Sequence, residues 1–142
     1  MDKIQRSLLR HRLRGARAQQ PEIGALRTLL LGIGGEELVA PGGIDADIPF
    51  LINSGFLMEG SVQCEVMEVS ACHQNVARLW IGRKCGLVGI GTGYALSDDS
   101  LWRQHSWGIQ RDGVLETTKA RVKYFGRALK GRQADSFAEF NR

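Results

Sequence analysis

Cys72, His105 and Glu116 are the side chains whose types and spacing could do chemistry together. A thiolate attacks a carbonyl carbon. An imidazole can take the thiol's proton and return it to a leaving group, and a carboxylate can fix the imidazole tautomer. Cys72 falls in the first turn of a predicted helix, where free N–H groups and the helix dipole favour the thiolate. His105 lies mid-strand in the hairpin that follows, and Glu116 lies on the next strand. A four-residue turn at 110–113 pairs Ile109 with Val114, hence Trp107 with Glu116 and His105 with Thr118. Parity then puts His105 and Glu116 on one face as diagonal neighbours, roughly 7–8 Å apart at the backbone, within reach for a Glu side chain.

Other residues compete for these roles. His73 could be the base, but a residue adjacent to Cys72 on a helix points about 100° away from it. Asp112 could be the acid, although its place before Gly113 suits a turn. Gln63, Asn75 and Gln104 are candidates to donate to an oxyanion or contact substrate, alongside the Cys72 backbone N–H. Trp107 could shield the pair from water, and Trp102 reads as packing. Cys64 and Cys85 read as structural. Cys64, Cys72, His73, Cys85 and His105 include zinc-ligand types, but no CxxC or HxxxH clip is present, so neither metal nor cofactor is expected.

The elements that must position these groups can be read coarsely. Residues 3–17 read as an amphipathic helix on Ile4, Leu8, Leu9 and Leu13, with Gly15 as its stop, and 22–31 as a second helix ended by the glycines at 32–35. Those glycines lack GxGxxG or a GK[ST] ending, so no phosphate loop is read. Residues 36–60 read as irregular, with a short apolar element at 48–52. Val62, Cys64 and Val66 alternate with polar residues as a strand. Residues 72–80 read as a helix with a Val76, Leu79 and Trp80 stripe, Ser70 as N-cap and a stop near Gly82. Residues 87–96 alternate strictly, and one face is Gly89, Gly91, Gly93 and Ala95, so something must approach that face closely. Strands at 101–109 and 114–118 complete a three-stranded antiparallel meander. Residues 121–125 could continue the sheet, and 135–140 could form a last helical turn. The expected fold is α+β: N-terminal helices, a helix starting at Cys72, and a small antiparallel sheet. Residues 1–20 are expected to be a basic helical arm and 21–142 a single domain.

The order Cys72-His73-Gln74-Asn75-Val76-Ala77-Arg78-Leu79-Trp80, then Gly93-Tyr94, His105-Ser106-Trp107 and Asp112-Gly113-x-x-Glu116-Thr117-Thr118 resembles the transglutaminase-like branch of the papain-like cysteine enzymes. That family places Cys at a helix start, a glycine-bearing strand ending in Gly-Tyr, an aromatic-flanked His, a turn, and an acid before a Pro-Thr-like pair. Here Glu stands where Asp is typical and Thr117 where Pro is usual, and no aromatic precedes Cys72. The resemblance spans residues 66–118. It implies a papain-like core with Cys72 as nucleophile, His105 as base and Glu116 as orienter. The implied activity is a hydrolase or acyltransferase (protease, deamidase or transglutaminase-like) on an amide or thioester bond of a peptide, protein or small acyl substrate. Trp102-Arg103-Gln104-His105-Ser106-Trp107-Gly108 and Tyr124-Phe125-Gly126 are also similar to stretches in small bacterial proteins.

Length and charge bound these readings. The chain has 142 residues, 43% hydrophobic and 24% charged, enough for one core. No apolar run approaches the roughly 18 residues that read as a membrane span, and the basic N-terminus has no apolar stretch behind it like a signal peptide. Three cysteines are a sparse, odd set, which suits a reducing compartment and a cytoplasmic location. The net charge of +4 is unevenly spread. Lys3, Arg6, Arg10, Arg12, Arg14 and Arg17 face Asp2 alone at one end. Lys119, Arg121, Lys123, Arg127, Lys130 and Arg132 occupy 119–132 without an acid. Residues 18–118 hold 12 acids and 6 bases. The basic flanks could meet nucleic acid, a partner protein or another anionic surface, with Tyr124-Phe125 able to stack on bases, or pack against the acidic middle. The alternative to an enzyme is therefore an inactive interaction module of the same fold.

Overall fold

Asp2 opens the chain as a helix cap. Its carboxylate accepts the Gln5 N–H at 2.7 Å, and the Gln5 side chain accepts the Asp2 N–H, closing a capping box. Helix α1 (Lys3–Gln19) follows in this computed structural model, which describes residues 1–142. The helix runs through Gly15 to Gln19. Leu13 and Ala16 pack on the next helix, and that burial outweighs the roughly 1 kcal/mol cost of a helical glycine. Helix α2 (Ile23–Ile33) buries Ile23, Leu26 and Leu30 and closes at Gly34. The stretch expected to be irregular holds β1 (Glu37–Leu38), α3 (Ile48–Ser54, with Pro49 in its first turn) and β2 (Phe56–Leu57). Such short elements have too few residues to show a period, and they form because strands and cores elsewhere receive them.

The site-bearing half comprises β3 (Ser61–Cys64), α4 (Cys72–Ile81), β4 (Gly89–Leu96), β5 (Leu101–Gln110), β6 (Gly113–Glu116), β7 (Lys123–Leu129) and α5 (Arg132–Asn141). The N-cap of α4 is Ala71, not Ser70; Ser70 adopts φ 59° in the turn before it. The meander β4-β5-β6 pairs as expected, with Ile109 opposite Val114. The sheet is larger and less uniform than expected. It is seven-stranded and mixed, in the order β2-β7-β4-β5-β6-β3, with β1 beside β5. Pairs β3–β6 and β1–β5 are parallel. Strand β7 adds to β4, where Gly93 and Gly126 face each other.

Alternation along β4 sorts the core. Tyr94 and Leu96 join Leu13, Leu26, Leu30, Ile48, Leu51, Trp102 and Phe125 under α1–α3. Ile90 joins Val76, Leu129 and Ala134 under α4 and α5. Ala95 turns to the other face, with Trp107, Val114 and Tyr124. Residues 1–20 are anchored to the rest of the fold at their C-terminal end. Leu13 is core, and the Gln20 side chain exchanges hydrogen bonds with the Asp45 backbone, while Ile4 stays 81% exposed. The bare glycine face of β4 is closely approached along its length: at Gly91 a Cβ would run into the Trp107 indole, and at Gly89 and Gly93 the nearest atoms are backbone of Leu129, Phe125 and Gly126 on β7.

One topological detail positions the site. Strand β5 pairs with β4 along most of its length, but its other edge is shared. β1 pairs at Leu101 and Trp102, and β6 at Gly108 to Gln110. Between them β5 has a free edge, and the N-terminus of α4 reaches it. No helix is long and apolar enough to cross a membrane.

Candidate active site

Helix α4 begins at Cys72 with no side-chain cap on its first N–H groups. The thiol sits at the opening in the β5 edge, beside the Ser106 N–H and the His105 ring. His105 is 3% exposed, and Glu116, fully buried on β6, meets it across the turn: His105 Nε2 lies 2.8 Å from Glu116 Oε1. A carboxylate can only accept, so Nε2 donates and Nδ1 is the nitrogen left for the thiol. Strand parity anticipates the His105–Glu116 pair, and the N-terminus of α4 adds the Cys72 thiol beside it.

The carboxylate of Glu116 is itself fully engaged. Tyr124 Oη donates to Oε1 at 2.9 Å, while the Thr118 N–H and hydroxyl both donate to Oε2 at 2.9 Å. Tyr124 Oη in turn accepts the Arg121 N–H at 3.1 Å. Trp107 stacks on His105, with ring centroids 6.0 Å apart, and packs edge-on to Tyr124. The carboxylate and imidazole are therefore held from several sides by buried groups, which removes rotamer freedom from both.

Electrostatics follow this geometry. Burial opposes the Glu116 anion, but the His105 hydrogen bond and charge, with Thr118 and Tyr124, hold its pKa down to about 2. Burial likewise opposes an imidazolium at His105; hydrogen bonds and charge from Cys72 and Glu116 override it and raise the pKa. Burial opposes a thiolate at Cys72, and His105 together with the Ser106 and His73 N–H groups overrides that too, so the thiol lies below its ordinary value. Desolvation and the neighbouring His105 charge lower the pKa of His73.

The rivals and accessories fall as follows. His73 Nδ1 contacts Ser106 Oγ at 2.6 Å, and Ser106 Oγ contacts Thr92 Oγ1 at 3.0 Å, on the face of β5 away from His105. Asp112 sits in the β5–β6 turn, where its carbonyl accepts the Ser61 N–H. Gln63 does not reach the site: it lies on exposed β3, and its side chain pairs with Gln110. Asn75 is fully buried and donates to the Glu68 carbonyl at 2.8 Å, tying down the segment that leads into α4. Trp107 is buried, with its indole N–H on Met58 Sδ, so it is a wall and not a substrate contact. Gln104 alone of these four lines the cleft. Tyr124, Thr118 and Arg121 are the site residues that the sequence left unremarked in this role. Thr118 ends the Asp112–Thr118 stretch that carries the resemblance, and Tyr124 reads in the sequence as an aromatic of the second basic flank.

The thiol and imidazole open onto a cleft of about 540 Å³ lined also by Val69, Ser97, Asp98, Asp99, Arg103, Lys119 and Arg121. Cys64 and Cys85 are free thiols elsewhere. No group of three or more His, Cys, Asp or Glu side chains is placed to hold a metal ion. No family model, curated protein or solved structure matches this chain.

Proposed function

We propose that this protein is a cysteine-dependent acyl-transfer enzyme with a papain-like, transglutaminase-like core, acting on an amide or thioester carbonyl. The observation that carries the reading is the buried His105, hydrogen-bonded to Glu116 at 2.8 Å and facing a helix-tip thiol that opens onto a cleft. His105 takes the Cys72 thiol proton, and the thiolate sulfur attacks the carbonyl carbon, forming a C–S bond as the C=O π pair moves to oxygen. The Cys72 backbone N–H, at an uncapped helix start, and Gln104 at the cleft wall are the donors available to that oxyanion. The C–O π bond re-forms as the C–N or C–S bond of the substrate breaks, and His105 gives the leaving group its proton. Water or an amine then gives a proton to His105 and attacks the thioester, releasing Cys72. Glu116 stays ionised and holds the ring. The reading suits a reducing, cytoplasmic setting, in which Cys72 stays a free thiol.

The test is the pH dependence of Cys72 alkylation by iodoacetamide in the folded and urea-denatured chain, joined to mass-spectrometric capture of an acyl-enzyme from p-nitrophenyl acetate. The folded protein should alkylate at Cys72 at lower pH than the denatured one, and the acyl adduct should vanish in Cys72→Ala. Identical alkylation profiles in the two states, with no adduct, would remove the catalytic assignment.

A further inference from the structure

The cleft beside Cys72 holds three cations and two anions, and they are not equivalently placed. Arg103 is gripped by both oxygens of Asp99, at 2.7 and 3.1 Å, and Lys119 pairs with Asp98 at 2.9 Å. These pairs neutralise one another. Arg121 is different. Its guanidinium donates to the Lys119 carbonyl and, at 3.4 Å, to Thr118 Oγ1, and it pairs with no carboxylate. Glu116 is not its hidden counter-ion, because both oxygens of that carboxylate are taken by His105, Tyr124 and Thr118.

Arg121 is also tied to the reacting groups. Thr118 and Tyr124, which contact Arg121, both donate to Glu116, which holds His105. A half-buried guanidinium that two contacts orient, with donors to spare and no anion, is arranged to receive a planar acceptor. We infer that Arg121 is a specificity determinant that receives a carboxylate of the substrate, so that the preferred acyl donor carries a carboxylate close to the scissile carbonyl. This inference rests on Cys72 being the nucleophile.

A pair of small alkylating agents tests it without a known substrate. Iodoacetamide and iodoacetate place the same electrophilic carbon next to an amide or a carboxylate. In both, the Cys72 sulfur forms an S–C bond and iodide leaves with the bonding pair. The readout is the ratio of the two rate constants at Cys72, followed by mass spectrometry at neutral pH. Arg121→Gln should lower the iodoacetate-to-iodoacetamide ratio by about threefold to tenfold, the size expected for one charge lining the same partly shielded cleft. Arg121→Lys should retain most of the ratio. Arg132→Gln, which removes the same charge from α5, should leave it alone. In the unmodified protein the ratio should fall as salt screens the guanidinium, a measurement that needs no variant to fold. An unchanged ratio in Arg121→Gln, or an equal fall in Arg132→Gln, overturns the assignment of Arg121 while leaving a reactive Cys72 in place. A folded protein whose Cys72 meets iodoacetamide no differently from the denatured chain overturns both.

Discussion

Glu116 carries the sharpest electrostatic consequence of any single side chain here. It gathers four donors in a buried setting, so its pKa is held at about 2. Since the folded value lies below the ordinary carboxylate value, the stabilisation it supplies is complete above that ordinary value and is lost as pH falls toward about 2. Glu116→Gln keeps an acceptor for His105 but removes the charge. His105 should then lose part of its raised pKa, and the Cys72 thiol should lose part of its lowered one. The expected outcome is an alkylation profile displaced to higher pH and acyl transfer slowed by about 10²–10⁴-fold, read by iodoacetamide kinetics and by the acyl-adduct assay. An unshifted profile would show that the carboxylate does not act through the ring. At this scale the His105–Glu116 contact was legible, because strand parity and a short turn determine which side chains share a face. The contact between Cys72 and His105 was not, because it depends on the free edge of β5, which no local pattern announces.

At the level of elements, the glycine face of β4 is a packing device. The Trp107 indole lies across Gly91, and Trp107 also backs His105. Gly91→Ala therefore forces an indole away from its seat and should destabilise by about 1–3 kcal/mol, measured by denaturant unfolding, while disturbing the site through His105. Gly15→Ala, in an open stretch of α1 where nothing lies within 4 Å of a new Cβ, should instead stabilise by about 0.4–1 kcal/mol. Equal effects at the two positions would contradict the packing argument. The strict alternation at 87–96 showed that something had to approach closely; it could not show that an indole and backbone from the neighbouring strands, and no substrate, fill the space. Asn75 teaches the converse. Its amide made it one of three candidate oxyanion donors, but burial turns it toward the Glu68 carbonyl, where it braces the entry to α4.

Over the whole molecule, the two basic flanks have different fates. In the second, Arg127 pairs with Asp47 and lies over the Phe50 ring, and Lys123 reaches the Ile33 carbonyl, so much of that charge is spent inside the fold. In the first, α1 projects its bases and Ile4 into solvent, and only Leu13 is buried. Deleting residues 1–8 should therefore cost no more than a lost cap, about 1 kcal/mol, whereas Leu13→Ala should cost about 2–5 kcal/mol, both read by thermal unfolding. A deletion as costly as the Leu13 change would mean that the whole of α1 is core. Periodicity, turn chemistry and residue order were enough to place the helix at Cys72, the meander, and the His105–Glu116 pairing, since these depend on contacts between neighbours in sequence. Only the tertiary structure decided the mixed seven-stranded sheet, the split edge of β5 that admits the thiol, and the removal of Gln63 and Asn75 from the site. Those features come from parallel pairings and burial between distant segments, whose energies depend on the whole assembled core and leave no mark in any short stretch of chain.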